Sequence, residues 1–177
     1  MNAPELIQTE RLLLRRPRME DAPVIFESYT QDPEVTRYLV WKPHKSVQET
    51  EDFLSACEQL WRTGKDYAYA ITLKKDGKLI GMFGLHPMQM KVEVGYVLAR
   101  PYWGKGYMTE VLCAIIEWAL AQPDIFRVQA VCDVENIASA RVMEKAGMTR
   151  EGTLRRYVSH PNISNEPRDA YIYAVVK

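Results

Sequence analysis

The sequence predicts a domain of the α/β class, of the α+β type, built on a mixed β-sheet, and three observations support this prediction. Amphipathic helical patterns occur early in the chain. A series of apolar segments with strand character follows, joined by short turns. The C-terminal half then alternates strand-like and helix-like segments. A meander followed by strand–helix–strand units is typical of a sheet with both antiparallel and parallel neighbours.

The N-terminal third predicts one strand and two helices. TERLLLRR (residues 9–16) places its leucines on one face of a strand, and MEDAPVIFESY (residues 19–29) then favours a helix, because an aspartate and a proline suit its start. A second helix is predicted from Val47 to Trp61, with Gly64 as its stop. Its apolar face would carry Thr50, Phe53, Leu54, Cys57, Leu60 and Trp61.

The middle of the chain predicts a β-hairpin. DYAYAITL (residues 66–73) and KLIGMFGLH (residues 78–86) have strand character and flank Asp76-Gly77. Asp-Gly is a strong hairpin signal, since it predicts positive φ at both central residues. Beyond the hairpin we expect a strand at 92–99, a helix at 105–121, a strand at 127–133, a helix at 136–146 closed by Gly147, and strands near 148–156 and 170–176.

Length and composition predict one domain of ordinary globular character. The chain has 177 residues, of which 47% are hydrophobic and 26% charged, and it shows no internal repeat, low-complexity tract or long linker. We therefore expect a single domain over residues 1–177. Lys plus Arg and Asp plus Glu are balanced at 23 each. This balance argues against a protein that binds nucleic acid electrostatically.

Targeting and redox features predict a cytoplasmic protein. No stretch of about 18 uncharged apolar residues occurs, so we expect no membrane span. The first residues, MNAPELIQTER, lack the basic and apolar regions of a secretory signal. Cys57, Cys113 and Cys132 are odd in number and widely spaced, which suits a reducing compartment and offers no zinc-ligand spacing. We expect no metal site.

The segment YWGKGYM (residues 102–108) joins a predicted strand to a predicted helix and contains two glycines. Gly104 and Gly106 remove Cβ atoms, so successive N–H groups there could surround an anion. The helix dipole adds about half a positive charge at the same place, and Arg100 and Lys105 are close in sequence. The predicted ligand is a phosphate or a pyrophosphate.

Two common phosphate motifs do not fit this segment. The Walker A pattern is absent, and the dinucleotide fingerprint requires a third small residue where Thr109 stands. A nucleotide-binding regulator is therefore disfavoured. A glycine-rich helix start without any ligand is the alternative.

Three motifs, VEVGYVL, YWGKGYMTE and NIASARVMEKAGM, resemble in their order and spacing the GNAT superfamily of acyl-CoA N-acyltransferases, and its RimJ/RimL-like branch in particular. TERLLLRR and EGTLRRYV…RDAYIYAVV are similar to the ends of that branch, so the resemblance covers essentially the whole chain. It implies a mostly antiparallel mixed sheet of about seven strands with about four helices. It also implies acetyl-CoA as co-substrate, a primary amine as acceptor, and a possible homodimer.

The resemblance also implies where coenzyme A binds. The loop would grip the pyrophosphate, and a bulge in the preceding strand would splay it from the next strand and admit the pantetheine arm. The implied loop residues are Trp103, Gly104, Lys105, Gly106, Tyr107 and Met108, and the implied pantetheine partners are the backbones of Val97, Leu98 and Ala99. The superfamily pattern begins with Gln or Arg and ends with Gly or Ala. Here Trp103 and Met108 stand there, and Met108 is expected to narrow the room beside the phosphates.

Asn136, Ser139 and Lys145 are further candidates on the last predicted helix. Asn136 is a favoured N-cap, and Ser139 would then face whatever the helix start faces. The resemblance implies that Asn136 contacts pantetheine and that the Ser139 hydroxyl lies near the sulfur; pure capping is the alternative. Lys145 could reach a phosphate or simply favour the helix C-terminus.

Acetyl transfer requires a neutral amine, a stabilised oxyanion and a protonated thiol. No serine with a paired histidine is apparent in the sequence, which favours direct attack in a ternary complex. Glu93 is the candidate base, by resemblance to superfamily members with a strand glutamate there, directly or through a water. Ser139 is the candidate proton donor to the thiolate, and a backbone N–H near Leu98 is the candidate oxyanion donor.

The acceptor is predicted only as a protein N-terminal α-amine or a small-molecule amine. Aromatic residues of the early helices and the last hairpin could line its groove or belong to the core: Tyr29, Tyr38, Trp41, Trp61 and Tyr157. The alternative function is a non-catalytic acyl-CoA-binding sensor or subunit, which would need neither Glu93 nor Ser139.

Overall fold

One β-sheet extends through the chain from residue 6 to residue 176. The computed structural model describes residues 2–177, which form eight strands and five α-helices. The strands are β1 (Leu6–Gln8), β2 (Leu12–Arg15), β3 (Tyr67–Leu73), β4 (Leu79–Met88), β5 (Lys91–Leu98), β6 (Arg127–Asp133), β7 (Thr149–Val158) and β8 (Arg168–Val176). The helices are α1 (Ala22–Ile25), α2 (Pro33–Thr36), α3 (Val47–Thr63), α4 (Tyr107–Leu120) and α5 (Ile137–Lys145).

The sheet is mixed and mostly antiparallel, as predicted. Its order is β1-β2-β3-β4-β5-β6-β8-β7, and within residues 2–177 the one parallel pair is β5 with β6. The prediction of about seven strands missed β1, which has only three residues and pairs with β2. A segment that short carries no readable alternation, and its neighbour in the sheet supplies its hydrogen-bond partners.

Helices pack against both faces of the sheet. Val92 and Val94 of β5 pack with the apolar stripe of α4 in the larger core cluster. On the other face, Met82 of β4 packs with Ile25 and Leu54 of α1 and α3. Strand alternation sends successive side chains to the two cores. Among residues 2–177 we find no helix with the length and apolar character needed to span a membrane.

The hairpin between β3 and β4 differs from the prediction. Gly77 has φ +70°, but Asp76 is not among the positive-φ residues. The connection takes five residues, from 74 to 78. The Gly77 N–H donates to the Leu73 carbonyl at 2.8 Å, and the Lys78 N–H donates to Asp76 Oδ1 at 3.1 Å. The side chain of Asp76 stabilises the turn through this hydrogen bond, and the backbone of Asp76 stays outside the left-handed region.

Two helical predictions also need correction. The segment predicted as one helix over 19–29 divides into a 3₁₀ turn (Met19–Asp21), α1 and a π turn (Phe26–Thr30). In α3 the predicted apolar face is too wide: Phe53 is 40% and Leu60 36% exposed, whereas Thr50, Leu54, Cys57 and Trp61 are buried. The predicted stop at Gly64 is confirmed, with φ +65°.

Candidate active site

A cleft opens where β5 and β6 part. The parallel register joins Lys91 to Arg127, Val92 to Val128 and Glu93 to Gln129, and then ends. The rest of β5 continues without a partner on that side. The resemblance implied a bulge in β5, but its pairing with β4 runs without a register shift from Leu98 to Lys91. The nearest irregularity lies in β4, opposite β3.

The glycine-rich loop lies between β5 and the start of α4. Gly104 has φ +70° and Gly106 φ +77°, a region that side-chain-bearing residues rarely adopt. A Cβ on Gly104 would have no heavy atom within 4 Å, so the loop faces open space. Gly106 is the N-cap of α4 and offers no side chain to its first N–H groups. The loop therefore presents N–H donors and the positive end of a 14-residue helix.

Arg11 supports this loop, a role that sequence analysis did not assign. Its Nη1 donates to the Lys105 carbonyl at 3.1 Å, and its Nε donates to Glu110 Oε2 at 2.6 Å. Thr9 Oγ1 donates to Glu110 Oε1 at 2.5 Å. Burial acts to raise the pKa of Glu110, but these bonds and the Arg11 charge lower it below its ordinary value. Arg11 belongs to the motif TERLLLRR, which sequence analysis used as a strand pattern and as part of the family resemblance, without assigning a role to the arginine.

Several cationic side chains surround the loop. Lys105 Nζ lies 5.6 Å from the centroid of the Tyr102 ring, and Lys78 Nζ lies 5.9 Å from it. The Arg100 guanidinium is 61% exposed and 3.3 Å from Asp32 Oδ2. Lys78 comes from the β3–β4 turn, far from the loop in sequence. These charges favour a polyanionic ligand.

Trp103 and Met108 differ in their surroundings. The Trp103 indole N–H donates to the Leu98 carbonyl at 2.6 Å and so ties the loop to the end of β5. Met108 is 5% exposed and packs into the core. Because its side chain is buried beneath α4, Met108 does not narrow the space beside the loop, contrary to the expectation.

The end of β5 turns selected backbone groups toward the cleft. The Ala99 N–H donates to the Ile80 carbonyl at 2.8 Å, and the Ala99 carbonyl accepts from the Tyr102 N–H at 2.9 Å. Donors of successive residues alternate in direction along an antiparallel strand. Since Ala99 donates toward β4, the Leu98 N–H points away from β4 and toward the cleft. The backbone groups of Ala99 already have partners in the chain.

The start of α5 forms the opposite wall. Asn136 Oδ1 accepts from the Ser139 N–H at 3.2 Å, so Asn136 is the predicted N-cap. Ser139 Oγ lies 2.9 Å from Tyr96 Oη on β5. Burial, opposed by that hydrogen bond, raises the pKa of Tyr96, which therefore stays protonated. Sequence analysis did not single out Tyr96. Lys145 is exposed at the last position of α5.

Glu93 lies at the point where β5 and β6 separate. Its Oε2 accepts from Gln129 Nε2 at 2.7 Å, and Gln129 Oε1 accepts from Arg127 Nε at 2.9 Å. The Arg127 guanidinium pairs in turn with both carboxylate oxygens of Glu151. These bonds leave Oε1 of Glu93 without a protein donor among residues 2–177. His86 is directly opposite Glu93 on β4.

The β7–β8 loop contacts the segment between α2 and α3. Asn162 Nδ2 donates to the carbonyls of Thr36 at 2.7 Å and Trp41 at 2.9 Å. Of the five aromatic residues considered for the acceptor groove, Tyr29 and Trp61 are buried in the core, at 2% and 8% exposure. Tyr38, Trp41 and Tyr157 keep solvent access. Within residues 2–177 we find no group of three or more His, Cys, Asp or Glu arranged to hold a metal ion.

Comparison with known proteins identifies the family. The profile described as an acetyltransferase (GNAT) domain matches residues 11–149. The chain is 30% identical over 176 residues to an uncharacterised N-acetyltransferase, p20, of Bacillus licheniformis, with 98% of this chain and 97% of the relative covered. It is 27% identical over 115 residues to a ribosomal-protein-serine acetyltransferase of Escherichia coli, with 63% of each covered.

Solved structures agree with the fold. A GNAT-family acetyltransferase from Bacillus anthracis superposes with a TM-score of 0.82 and 30% identity, covering 97% of this chain and 98% of that one. RimL, a ribosomal L7/L12 α-N-protein acetyltransferase solved in complex with coenzyme A, gives a TM-score of 0.83 at 23% identity, covering 97% and 98%. The chain therefore belongs to the GNAT acetyltransferases and is an N-acetyltransferase with relatives in the RimJ/RimL branch.

Proposed function

We propose that this protein transfers the acetyl group of acetyl-CoA to a primary amine by direct attack in a ternary complex. The observation that carries the proposal is the cleft between β5 and β6, with an N–H-rich loop at its outer end and Glu93 at its inner end. A polyanion and an amine can then approach one another from opposite sides of a separated strand pair.

The loop residues are proposed to bind the diphosphate of coenzyme A. The N–H groups from Gly104 to Met108 supply donors, and Lys105, with Lys78 and Arg100 nearby, supplies positive charge. The pantetheine arm would follow the free side of β5 along Val97, Leu98 and Ala99, with the Asn136 amide facing it. Of these, the Leu98 N–H is best oriented to bond a ligand in the cleft. Lys145 is proposed to contact a phosphate from the far end of α5.

Three groups would serve the chemistry. The neutral amine nitrogen bonds to the thioester carbon, and Glu93 takes the N–H proton that this nitrogen then loses, directly or through a water. The Leu98 N–H stabilises the oxyanion that forms. As the carbon–sulfur bond breaks, the Ser139 hydroxyl gives a proton to the sulfur. Tyr96, within hydrogen-bond distance of Ser139, can restore that proton and recover its own from water.

The proposed acceptor is a protein N-terminal α-amine or a small-molecule amine. Two relatives are named for ribosomal-protein acetylation, one of them at an α-amine. An α-amine, with a pKa of about 7.7–8.0, is partly neutral at pH 7, whereas a lysine side chain at about 10.4 is almost wholly charged. A single carboxylate such as Glu93 therefore suits an α-amine better.

Two measurements test this function. Saturating acetyl-CoA, at 100 times Kd, should stabilise the protein by about 2.7 kcal/mol and raise its Tm by roughly 5–10 °C, while ATP and NAD should not. Release of free thiol from acetyl-CoA should then depend on an added amine, tested with N-terminal peptides, N-terminally blocked lysine peptides and small amines. A Tm shift without thiol release for any amine would favour the non-catalytic acyl-CoA-binding alternative.

A further inference from the structure

His86 and Asp66 form a polar pair beside Glu93. His86 is opposite Glu93 in the antiparallel register of β4 and β5, so their side chains share one face of the sheet. Asp66 immediately precedes β3, and its Oδ2 lies 2.7 Å from His86 Nδ1. On the other side, Gln129 of β6 bonds to Glu93. A row of polar side chains thus runs from the residue before β3 across β4, β5 and β6 at the inner end of the cleft.

Two glycines leave room for the imidazole ring. Gly84 and Gly95 are directly paired on β4 and β5. A Cβ on Gly84 would lie 2.9 Å from His86 Nε2, and a Cβ on Gly95 would lie 3.7 Å from it. Gly95 is two residues beyond Glu93, toward the open part of β5. The ring therefore leans from the row of Glu93 over the glycine pair, toward the cleft.

The hydrogen bond to Asp66 determines which ring nitrogen is free. A carboxylate only accepts, so Nδ1 carries the proton and Nε2 is the basic atom of the neutral ring. The bond to Asp66, opposed by burial and aided by the charges of Asp66 and Glu93, raises the pKa of His86 above 6.5. In α3, burial first and the Asp66 charge second raise the pKa of Cys57 to about 12, so it stays a neutral thiol. The His86 side chain is 46% exposed, so the imidazole ring reaches solvent.

We propose that His86 is the second proton acceptor of the acceptor site, receiving at Nε2 the proton that Glu93 takes from the amine. This inference rests on the proposed acetyl transfer. The N–H bond of the amine breaks as an O–H bond forms on Glu93. That O–H bond breaks as a bridging water takes its proton and gives one of its own to Nε2, and the imidazolium returns the proton to bulk water. Asp66 is a positioning residue that holds the ring in the accepting tautomer.

The surroundings of Glu93 favour a second proton acceptor beside it. Oε2 is held by Gln129, and the carboxylate is only partly exposed. A proton left on Glu93 would stop the next turnover. His86, directly opposite and half exposed, offers a route from Glu93 to solvent that does not pass through the cofactor side of the cleft.

The test is the pH profile of kcat/KM at saturating acetyl-CoA for the wild type, His86→Gln and Asp66→Asn. We expect the wild-type rate to fall on the acid side as His86 becomes protonated. His86→Gln should lose about tenfold or more and lose that acid limb. Asp66→Asn should move the limb to lower pH, because the carboxylate no longer raises the imidazole pKa. Glu58→Gln, which removes a carboxylate from the exposed ion pair with Arg62 on α3, is the matched control and should change neither.

A double-mutant cycle shows whether the two residues act in series. If they do, His86→Gln should add little to the loss caused by Glu93→Gln, whereas independent roles would multiply. An unchanged acid limb in both His86→Gln and Asp66→Asn, with the acetyl-CoA-induced Tm shift intact, would overturn the inference and leave the proposed function standing. A wild-type protein that acetylates no amine would overturn the proposed function itself, and this inference with it.

Discussion

The hydroxyl oxygens of Ser139 and Tyr96 lie 2.9 Å apart, joining the first turn of α5 to the part of β5 that has left the sheet on its β6 side. The Tyr96 ring also stacks on Phe83, with centroids 6.2 Å apart and planes at 17°. Two hydroxyl groups are thereby held at the wall of the cleft by packing and by a helix cap, before any ligand enters.

Ser139→Ala should lower kcat and leave acetyl-CoA binding nearly unchanged. A positioned proton donor typically contributes about 10²–10⁴-fold to the rate, and the Ser139 N–H that Asn136 caps survives the substitution. The measurements are kcat and the acetyl-CoA-induced Tm shift. Tyr96→Phe, which keeps the stacking on Phe83, should show a smaller loss of the same kind. If Ser139→Ala turns over at the wild-type rate, capping is the whole role of this residue.

Gly104→Ala should weaken acetyl-CoA binding in addition to lowering the stability of the fold. Gly77→Ala is the matched control, because both glycines have φ +70° and neither would place a Cβ within 4 Å of another atom. Left-handed backbone costs an L-residue about 1–2 kcal/mol, so the two variants should lose similar stability. Only Gly104→Ala should shrink the Tm shift with acetyl-CoA. Equal acetyl-CoA-induced Tm shifts in both variants would show that the loop does not belong to the cofactor site.

Glu110 should stabilise the fold in a pH-dependent manner. Its folded-state pKa is below the ordinary value of 4.5, so its contribution is complete above that value and disappears as pH falls through the folded-state pKa. Urea unfolding of Glu110→Gln should show a loss of about 1.5–3 kcal/mol at pH 7, which is typical of hydrogen bonds to a charged group. The difference from wild type should shrink below pH 4.5. In an Arg11→Met background that pH dependence should be weaker, and an equal dependence in both backgrounds would contradict the role of Arg11.

Glu93→Gln should lower kcat/KM about 10²-fold or more, because the amide cannot take a proton. The substitution preserves side-chain size at the end of the β5–β6 ladder, so the fold and the acetyl-CoA-induced Tm shift should be retained. An N-terminal peptide and a lysine peptide are the informative acceptors. A variant with wild-type turnover and pH profile would show that Glu93 is not the base.

Local patterns predicted most elements of the fold correctly. The strand at 127–133, the N-cap at Asn136 and the helix stop at Gly64 agree with the structure, because each depends on residues adjacent in sequence. The same dependence explains the errors. β1 is held by pairing with β2, and Asp76 satisfies its turn with a side-chain hydrogen bond that alternation cannot reveal.

The residues of the candidate site also divide into those that the sequence indicated and those that only the structure revealed. The residues themselves indicated the glycine loop as a candidate, and the resemblance to the GNAT superfamily indicated the roles of Glu93 and Ser139. Tyr96, Arg11 and His86 were not singled out, since the side-chain partner of each lies elsewhere in the sequence: Ser139, Glu110 and Asp66 respectively.

The sequence alone determined that a glycine-rich helix start and a capped second helix would exist, because backbone conformation and capping are local properties. Only the tertiary structure decided that β5 and β6 separate just after Glu93 and Gln129, and that the side chain of Met108 goes into the core. Strand register and side-chain burial are set by packing between distant segments. The spatial relation of Ser139, Glu93 and the glycine-rich loop therefore emerges only when the sheet is assembled.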